Sequence, residues 1–121
     1  MNFLLDTNAL IYLQSARLAT PLLEGAYAYS VISEIELLSW PQMQAEAELV
    51  WRGLLAGLRR VDLEAKVCEA AIHLRREHRL RLPDAIIAAS ALAYHATLLT
   101  NDQRLLAIPD VRSQALELKR A

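Results

Sequence analysis

Asp6 closes an apolar run at residues 2–5, Asp84 follows Pro83 at a helix start, and Asp102 lies just past the apolar run at 97–99. Two carboxylates at strand ends and one in a helix's first turn are what a divalent-cation site in an open α/β sheet needs. Ligands in such sheets bind beyond the carboxyl ends of the strands. The unpaired amides at a helix start also favour an ionised oxygen at Asp84. Carboxylates are the hard oxygen ligands that magnesium or manganese prefers, and few are needed because water and a phosphate complete the octahedron. A fourth acid is expected from the helical stretch 30–40, where Glu34 and Glu36 lie about 200° apart, so that only one can face the cluster. Each acid also has an ordinary structural use. Asp6 can cap a helix, Asp84 can complement a helix dipole, and Asp102 can sit in a turn. Glu36 can close a capping box with Ser33, for which Ser30 competes as the cap. As an ordered set, the acids point to one metal site.

The elements that must hold them follow from periodicity and punctuation. Residues 2–5 suit a buried central strand, and Asp6 or Thr7 can cap a helix through Ala9, Leu10, Ile11 and Leu13. Residues 16–25 read as a loop or short helix, with Pro21 at a first-turn position. Residues 27–29 predict a second strand, and Ser30 opens a helix that sets Ile32, Ile35 and Leu38 or Ser39 on one face. Residues 42–58 are strongly helical, with Gly53 and Gly57 weakening the end. A short strand at 59–61 follows, and Asp62 caps a helix over 63–77 that turns Val67, Ala70, Ala71 and Leu74 inward. After the helix opening at Pro83–Asp84 and the strand at 97–99, residues 111–118 read as one more short strand. Short strands alternating with longer helices predict one domain over 1–121, a three-layer α/β/α fold with a mostly parallel central sheet.

Composition bounds the function. A chain of 121 residues with 55% hydrophobic content suits one domain with a real core. The formal net charge of -1 is not globally basic, yet carboxylates gathered at a metal site would mask a basic rim, so nucleic acid stays within reach. The lone Cys68 carries no internal disulfide framework and suits a reducing compartment. No apolar run approaches the roughly 20 residues that span a bilayer. The N-terminus lacks a basic leader region, so no signal peptide is expected and the predicted setting is cytoplasmic, without a membrane. His73 and His78 are five apart, off the helical match, and His95 stands alone, so the histidines do not suggest a metal cluster.

Four pieces in order carry a family resemblance: Leu4-Leu5-Asp6-Thr7-Asn8, Ser30-Val31-Ile32-Ser33-Glu34-Ile35-Glu36-Leu37, Leu82-Pro83-Asp84-Ala85-Ile86-Ile87-Ala88-Ala89, and Leu98-Leu99-Thr100-Asn101-Asp102. Together they cover nearly the whole chain and resemble a PIN domain, among these the short VapC-type toxins of bacterial toxin–antitoxin pairs. In that family's pattern the second acid precedes a Leu and stands three residues after a Ser or Thr, which selects Glu36 over Glu34. The resemblance implies an endoribonuclease dependent on magnesium or manganese, commonly acting on transfer or ribosomal RNA. It also implies a homodimer neutralised by a small antitoxin protein. Arg104 and Leu105 stand where many relatives place a further Asp followed by Phe, so four carboxylates remain.

The expected mechanism is metal-assisted hydrolysis of an RNA phosphodiester, with Asp6, Asp84 and Asp102 as metal ligands and Glu36 as the fourth catalytic acid. Thr7, Asn8, Thr100 and Asn101 are candidate hydrogen-bonders that fix the carboxylates, beside their ordinary use as caps and turns. Arg79, Arg81 and Arg104 are the candidate RNA contacts, because guanidinium forks suit phosphates at the rim of an acidic site. Arg75 and Arg76 read as a solvated helix end. Trp40, Met43, Leu54 and Leu55 give the middle helices surplus apolar surface for a dimer face or an antitoxin groove. A receiver-type phosphoacceptor would want a Lys late in the chain after a strand, and only Lys66 and Lys119 exist. A phosphatase with an Asp-x-Asp motif fails at Asn8. A non-catalytic PIN-like domain that binds RNA or partners is the alternative, and the four retained acids argue against it.

Overall fold

Alternation along three short strands builds two cores at once. In the computed structural model, which describes residues 1–120, five strands form one sheet. They are β1 (Phe3–Leu5), β2 (Tyr27–Ser30), β3 (Arg59–Val61), β4 (Thr97–Leu99) and β5 (Ser113–Gln114), in the order β3-β2-β1-β4-β5. Every adjacent pair is parallel. Leu4 is in register with Ala28 and Leu98, and Leu5 with Tyr29 and Leu99. Successive side chains point to opposite faces, so each row meets a different helix layer. Leu4, Ala28 and Leu98 pack with Val67 and Leu74 of α4 (Ala65–His78) and with α5 (Leu82–Ala93). Leu5, Tyr29 and Leu99 pack with Ala9 and Leu10 of α1 (Thr7–Gln14), Leu37 of α2 (Val31–Leu38) and Leu55 of α3 (Ala45–Ala56). The result is the three-layer α/β/α architecture expected from the sequence, with a wholly parallel sheet.

Chain order reverses at β1, which has β2 on one side and β4 on the other. The crevice at the carboxyl ends of β1 and β4 is therefore the switch point where such sheets bind ligands. Helix α5 lies behind it. Its residues from Ala85 to Ala91 are all buried, which fits a helix enclosed by the sheet and α4 rather than an amphipathic surface helix. Small side chains at Ala85, Ala88 and Ala89 let it seat closely on β1, β2 and β4.

Several local readings change. Ser30 caps α2 by accepting from the Ile32 amide, so Ser33 is a buried helical residue and not the opening of a capping box. The inward face of α2 is Ser33 and Leu37, while Ile35 is 55% exposed. Helix α4 starts at Ala65 with Glu64 at its cap position. Asp62 instead pairs with Arg60 at 2.8 Å. The helical stretch after Pro41 is limited to α3, and Pro21 starts no helix. A short helix missed in the sequence, α6 (Gln103–Leu106), follows β4. Cys68 is half-buried. Of the apolar residues on the middle helices, Leu55 belongs to the core, while Trp40 joins Ile35, Leu49 and Val50 as exposed apolar surface.

The final strand reading is right in place and too long. Only Ser113 and Gln114 form β5, and the following backbone runs antiparallel to the loop after α1, with Leu18 bridged to Leu118. Ala19 donates to the Glu117 carbonyl at 2.9 Å, and Lys119 donates to the Arg17 carbonyl at 2.8 Å. Among the described residues, no helix is long and apolar enough to cross a membrane.

The close seating of α5 makes volume the sensitive variable. Ala88→Leu is expected to destabilise the fold by about 1–3 kcal/mol, the usual range for overpacking, read as a lower urea midpoint at unchanged slope. An unchanged midpoint would show that α5 leaves room the packing denies.

Candidate active site

Asp6 is held at the seam between β1 and β4. Its amide donates to the Leu99 carbonyl at 3.1 Å, and its Oδ1 accepts from the Ala9 amide at 2.7 Å as the N-cap of α1. The side chain is nearly enclosed, at 5% exposure for the residue. The Thr100 hydroxyl, wholly buried, stands beside the same carboxylate and favours its ionised form. That hydroxyl also accepts from the Asp102 amide at 3.0 Å, so one buried Thr joins the two strand-end acids. Asp102 caps α6, its Oδ1 accepting from the Arg104 amide at 2.8 Å. The turn expected at Asp102 is thus a second helix cap, equivalent to that at Asp6.

Glu36 comes to the same cleft from α2. The Thr7 hydroxyl donates to its Oε1 at 2.7 Å and lies 2.8 Å from the Ser33 hydroxyl. An ionised carboxylate only accepts, so the single Thr7 proton goes to Glu36 and Ser33 must donate to Thr7. Glu34 faces away, bonded to Tyr29 at 3.3 Å and to Arg60 at 3.2 Å. The angular argument between the two glutamates therefore holds, and Glu36 is the one in the cleft. Asp84 stands in the first turn of α5, with Arg81 Nε donating to its Oδ2 at 3.3 Å.

The cleft has a volume of about 240 Å³ and is lined by Asp6, Glu36, Asp84 and Asp102, together with Thr7, Asn8 and Arg81. All four sequence-derived acids reach it. Of the supporting residues, Thr7 bonds Glu36, Thr100 stands beside Asp6, and Asn8 lines the cleft. Asn101 does not join the carboxylates. It turns to the C-terminal segment, donating to the Leu116 carbonyl at 3.1 Å and accepting from its amide at 2.6 Å. Arg79 and Arg104 do not line this cleft. They meet in a neighbouring one with His78. Ser33 is the supporting residue that a structural reading of the sequence hides, because its spacing to Glu36 also fits a cap. His73 and His78 hold one carboxylate after all, bonding Asp110 at 3.0 and 2.8 Å. Those two bonds hold the Asp110 carboxyl below the usual range.

Burial holds the Asp6 carboxyl above the usual range, and the charges of Asp102 and Asp84 add to this, against Thr100 and the Ala9 amide. Among the described residues no three acidic, His or Cys side chains stand together tightly enough to form a metal's coordination shell. Arg81, Thr7 and the Arg104 amide each hold one of the acids. The donor set itself fits a hard cation: carboxylate oxygens only, in one cleft, one of them buried at a cost that positive charge would offset.

Because its folded pKa is raised, Asp6 takes up a proton on folding between its unfolded value of about 4 and its folded value. Its contribution to stability falls as pH rises through that window and is unfavourable at neutral pH. Asp6→Asn keeps an acceptor for the Ala9 amide while removing the charge. In chelator at neutral pH its melting temperature is expected to equal or exceed that of the wild type, and a clear drop would show that the charge is favourable.

Comparison with known proteins bears on the fold and the family. A family model described as the PIN domain matches residues 3–111. Ribonuclease VapC45 of Mycobacterium tuberculosis (strain CDC 1551 / Oshkosh) is 41% identical over 83 residues, which cover 65% of this chain and 53% of that relative. The matched chain thus spans about half the length of its curated relatives. Among solved structures, a toxin-antitoxin complex from Klebsiella pneumoniae superposes with a TM-score of 0.78 and 30% identity, covering 91% of this chain and 95% of that one. VapBC2 from Rickettsia felis, bound to a DNA fragment from their promoter, gives a TM-score of 0.81 and 25% identity, covering 97% and 100%.

Proposed function

This chain belongs to the PIN domain family, and we propose that it is a metal-dependent endoribonuclease, the toxin of a toxin–antitoxin pair that inhibits translation by cleaving transfer or ribosomal RNA. The observation that carries this reading is the convergence of Asp6, Glu36, Asp84 and Asp102 on one cleft at the switch point of a parallel sheet. The names of its relatives, ribonucleases and toxin–antitoxin complexes, support it.

In this reading Asp6, Asp84 and Asp102 hold magnesium or manganese. When bound, such a cation acidifies water and offsets charge on the phosphate in the transition state. The chain's own residues do the rest. Ala9 and Thr100 fix the Asp6 carboxylate. Ser33 and Thr7 fix Glu36, whose part in this reading is to bind the cation through water or to orient the nucleophile. Arg81, paired with Asp84, stands at the mouth of the cleft as the nearest cation for the scissile phosphate. The exposed apolar side chains of Ile35, Trp40, Leu49 and Val50 would supply apolar surface for a second copy of the chain or for an antitoxin helix. A cytoplasmic setting fits the single thiol.

Asp6→Asn, Asp84→Asn and Glu36→Gln are each expected to lower RNA cleavage by roughly a hundredfold or more, the scale for losing a positioned acid–base group, with the fold retained. Glu34→Gln, outside the cleft, is expected to cut as the wild type does. Equal loss in Glu34→Gln and Glu36→Gln would sink the assignment, full activity in Asp84→Asn would remove Asp84 from the site, and a wild type that cuts no RNA would favour a domain that binds without cutting. The metal is tested separately. Magnesium or manganese is expected to raise the wild-type melting temperature and chelator to reverse this, since a ligand of the folded state alone stabilises it by mass action. Asp6→Asn should show little of that response.

A further inference from the structure

A second cleft, of about 330 Å³, abuts the carboxylate cleft and is lined by His78, Arg79, Leu80, Arg104, Ala107 and Ile108. The two are neighbours through consecutive residues at two points: Leu80 lines one and Arg81 the other, and Arg104 lines one and Leu105 the other. Their charges are opposite. Among the described residues, neither Arg79 nor Arg104 pairs with a carboxylate, whereas Arg52, Arg60 and Arg81 do. The acid bonded to a residue of the cleft is Asp110, and both of its oxygens are taken, Oδ2 by His73 and Oδ1 by His78. Arg104 is set by the α6 cap, through the amide it gives to Asp102. Arg79 is set at the end of α4 in a left-handed conformation, φ 52°, which is unfavourable for a residue with a Cβ and which Gly would relieve. Ala16 and His95 take the same conformation just past the ends of α1 and α5, so at Arg79 it marks how the helix ends, and it fixes where that residue leaves α4.

We infer that this cleft is a subsite for a non-scissile backbone phosphate of single-stranded RNA, held by the Arg79 and Arg104 guanidinium groups one step along the strand from the carboxylates. The inference rests on the ribonuclease reading and divides its arginines. Arg81 serves the cleavage cleft, and Arg79 and Arg104 grip the strand outside it. A forked guanidinium matches a phosphate's oxygens, and two of them give the register that an acidic cleavage cleft, which repels the backbone, cannot supply.

The test uses Arg79→Gly, Arg104→Gln and the double variant of the full chain. Binding of a labelled random-sequence single-stranded oligoribonucleotide is followed by fluorescence anisotropy, with calcium in place of magnesium, over a range of salt. Each single variant is expected to weaken binding by about tenfold, and the double variant to lower the salt slope by about 0.7, one phosphate's share on a single strand. With magnesium, KM for a cleaved RNA should rise while kcat stays within about twofold. Arg79→Gly should melt no lower than the wild type, which a purely structural role for Arg79 would not give. Unchanged affinity and slope in the double variant overturn the inference, as does a fall in kcat at constant KM. Loss of polyglutamate binding with RNA binding intact would assign the cleft to an acidic protein segment, and would overturn it equally. A wild type that binds RNA through this cleft but cuts none of a broad RNA panel would instead overturn the ribonuclease reading alone.

Discussion

The site depends on keeping a carboxylate ionised where the fold has removed most of its water. Asp6 sits at the end of the central strand with only the Ala9 amide and the Thr100 hydroxyl to replace solvent, and two further acids share its cleft. Neither offsets burial, so the carboxyl is held above its ordinary range. The rest of the structure can be understood as holding this arrangement together. Two cores on opposite sheet faces fix β1 and β4 side by side, a close-packed α5 brings Asp84 up from behind, and α2 delivers Glu36 on a hydroxyl relay. A cluster of like charges is stable only when the scaffold contributes far more than the cluster takes away.

Each acid is restrained in a different way. Asp6 and Asp102 spend an oxygen capping the helices that follow their strands, Asp84 leans on a guanidinium, and Glu36 accepts from Thr7. The two caps share a construction: a parallel strand ends, an Asp turns the chain, and a helix begins. The structural use and the chemical use of these residues are thus the same geometry, since a cap carboxylate at a strand end already faces the crevice.

That identity explains what the sequence could and could not disclose. Strand–Asp–helix punctuation made Asp6 legible, and the Pro83–Asp84 start and the run at 97–99 did the same for the other two aspartates, because these signals are local. The alternation of buried strands and longer helices likewise disclosed the layered fold. What stayed hidden was decided between distant parts of the chain. Ser33 looked like a cap because Ser30, its rival, is told apart only by backbone geometry. Ile35 fell on a helical stripe that tertiary packing turns outward, and Asp62 lost its capping role to an ion pair with Arg60. The pairing of His73 and His78 on Asp110 spans 37 and 32 residues, and no periodicity encodes it. The basic residues divide between two clefts for the same reason: Arg79 and Arg104 are apart in sequence and line one cleft only in the folded chain.

Asn101 ties the loop carrying Asp102 to the backbone at Leu116, and the same stretch of backbone is stitched to the loop after α1 through Ala19, Leu18 and Lys119. Apart from the Asn101 amide, these are main-chain bonds, indifferent to which side chains accompany them. Leu116 also packs against the core, so it is the exposed positions Arg17, Ala19, Glu117 and Lys119 whose side chains can change without disturbing the seam. A change in the length of either segment is another matter, because one added or lost residue would shift the register of the whole seam and reach the acidic centre from the outside of the molecule.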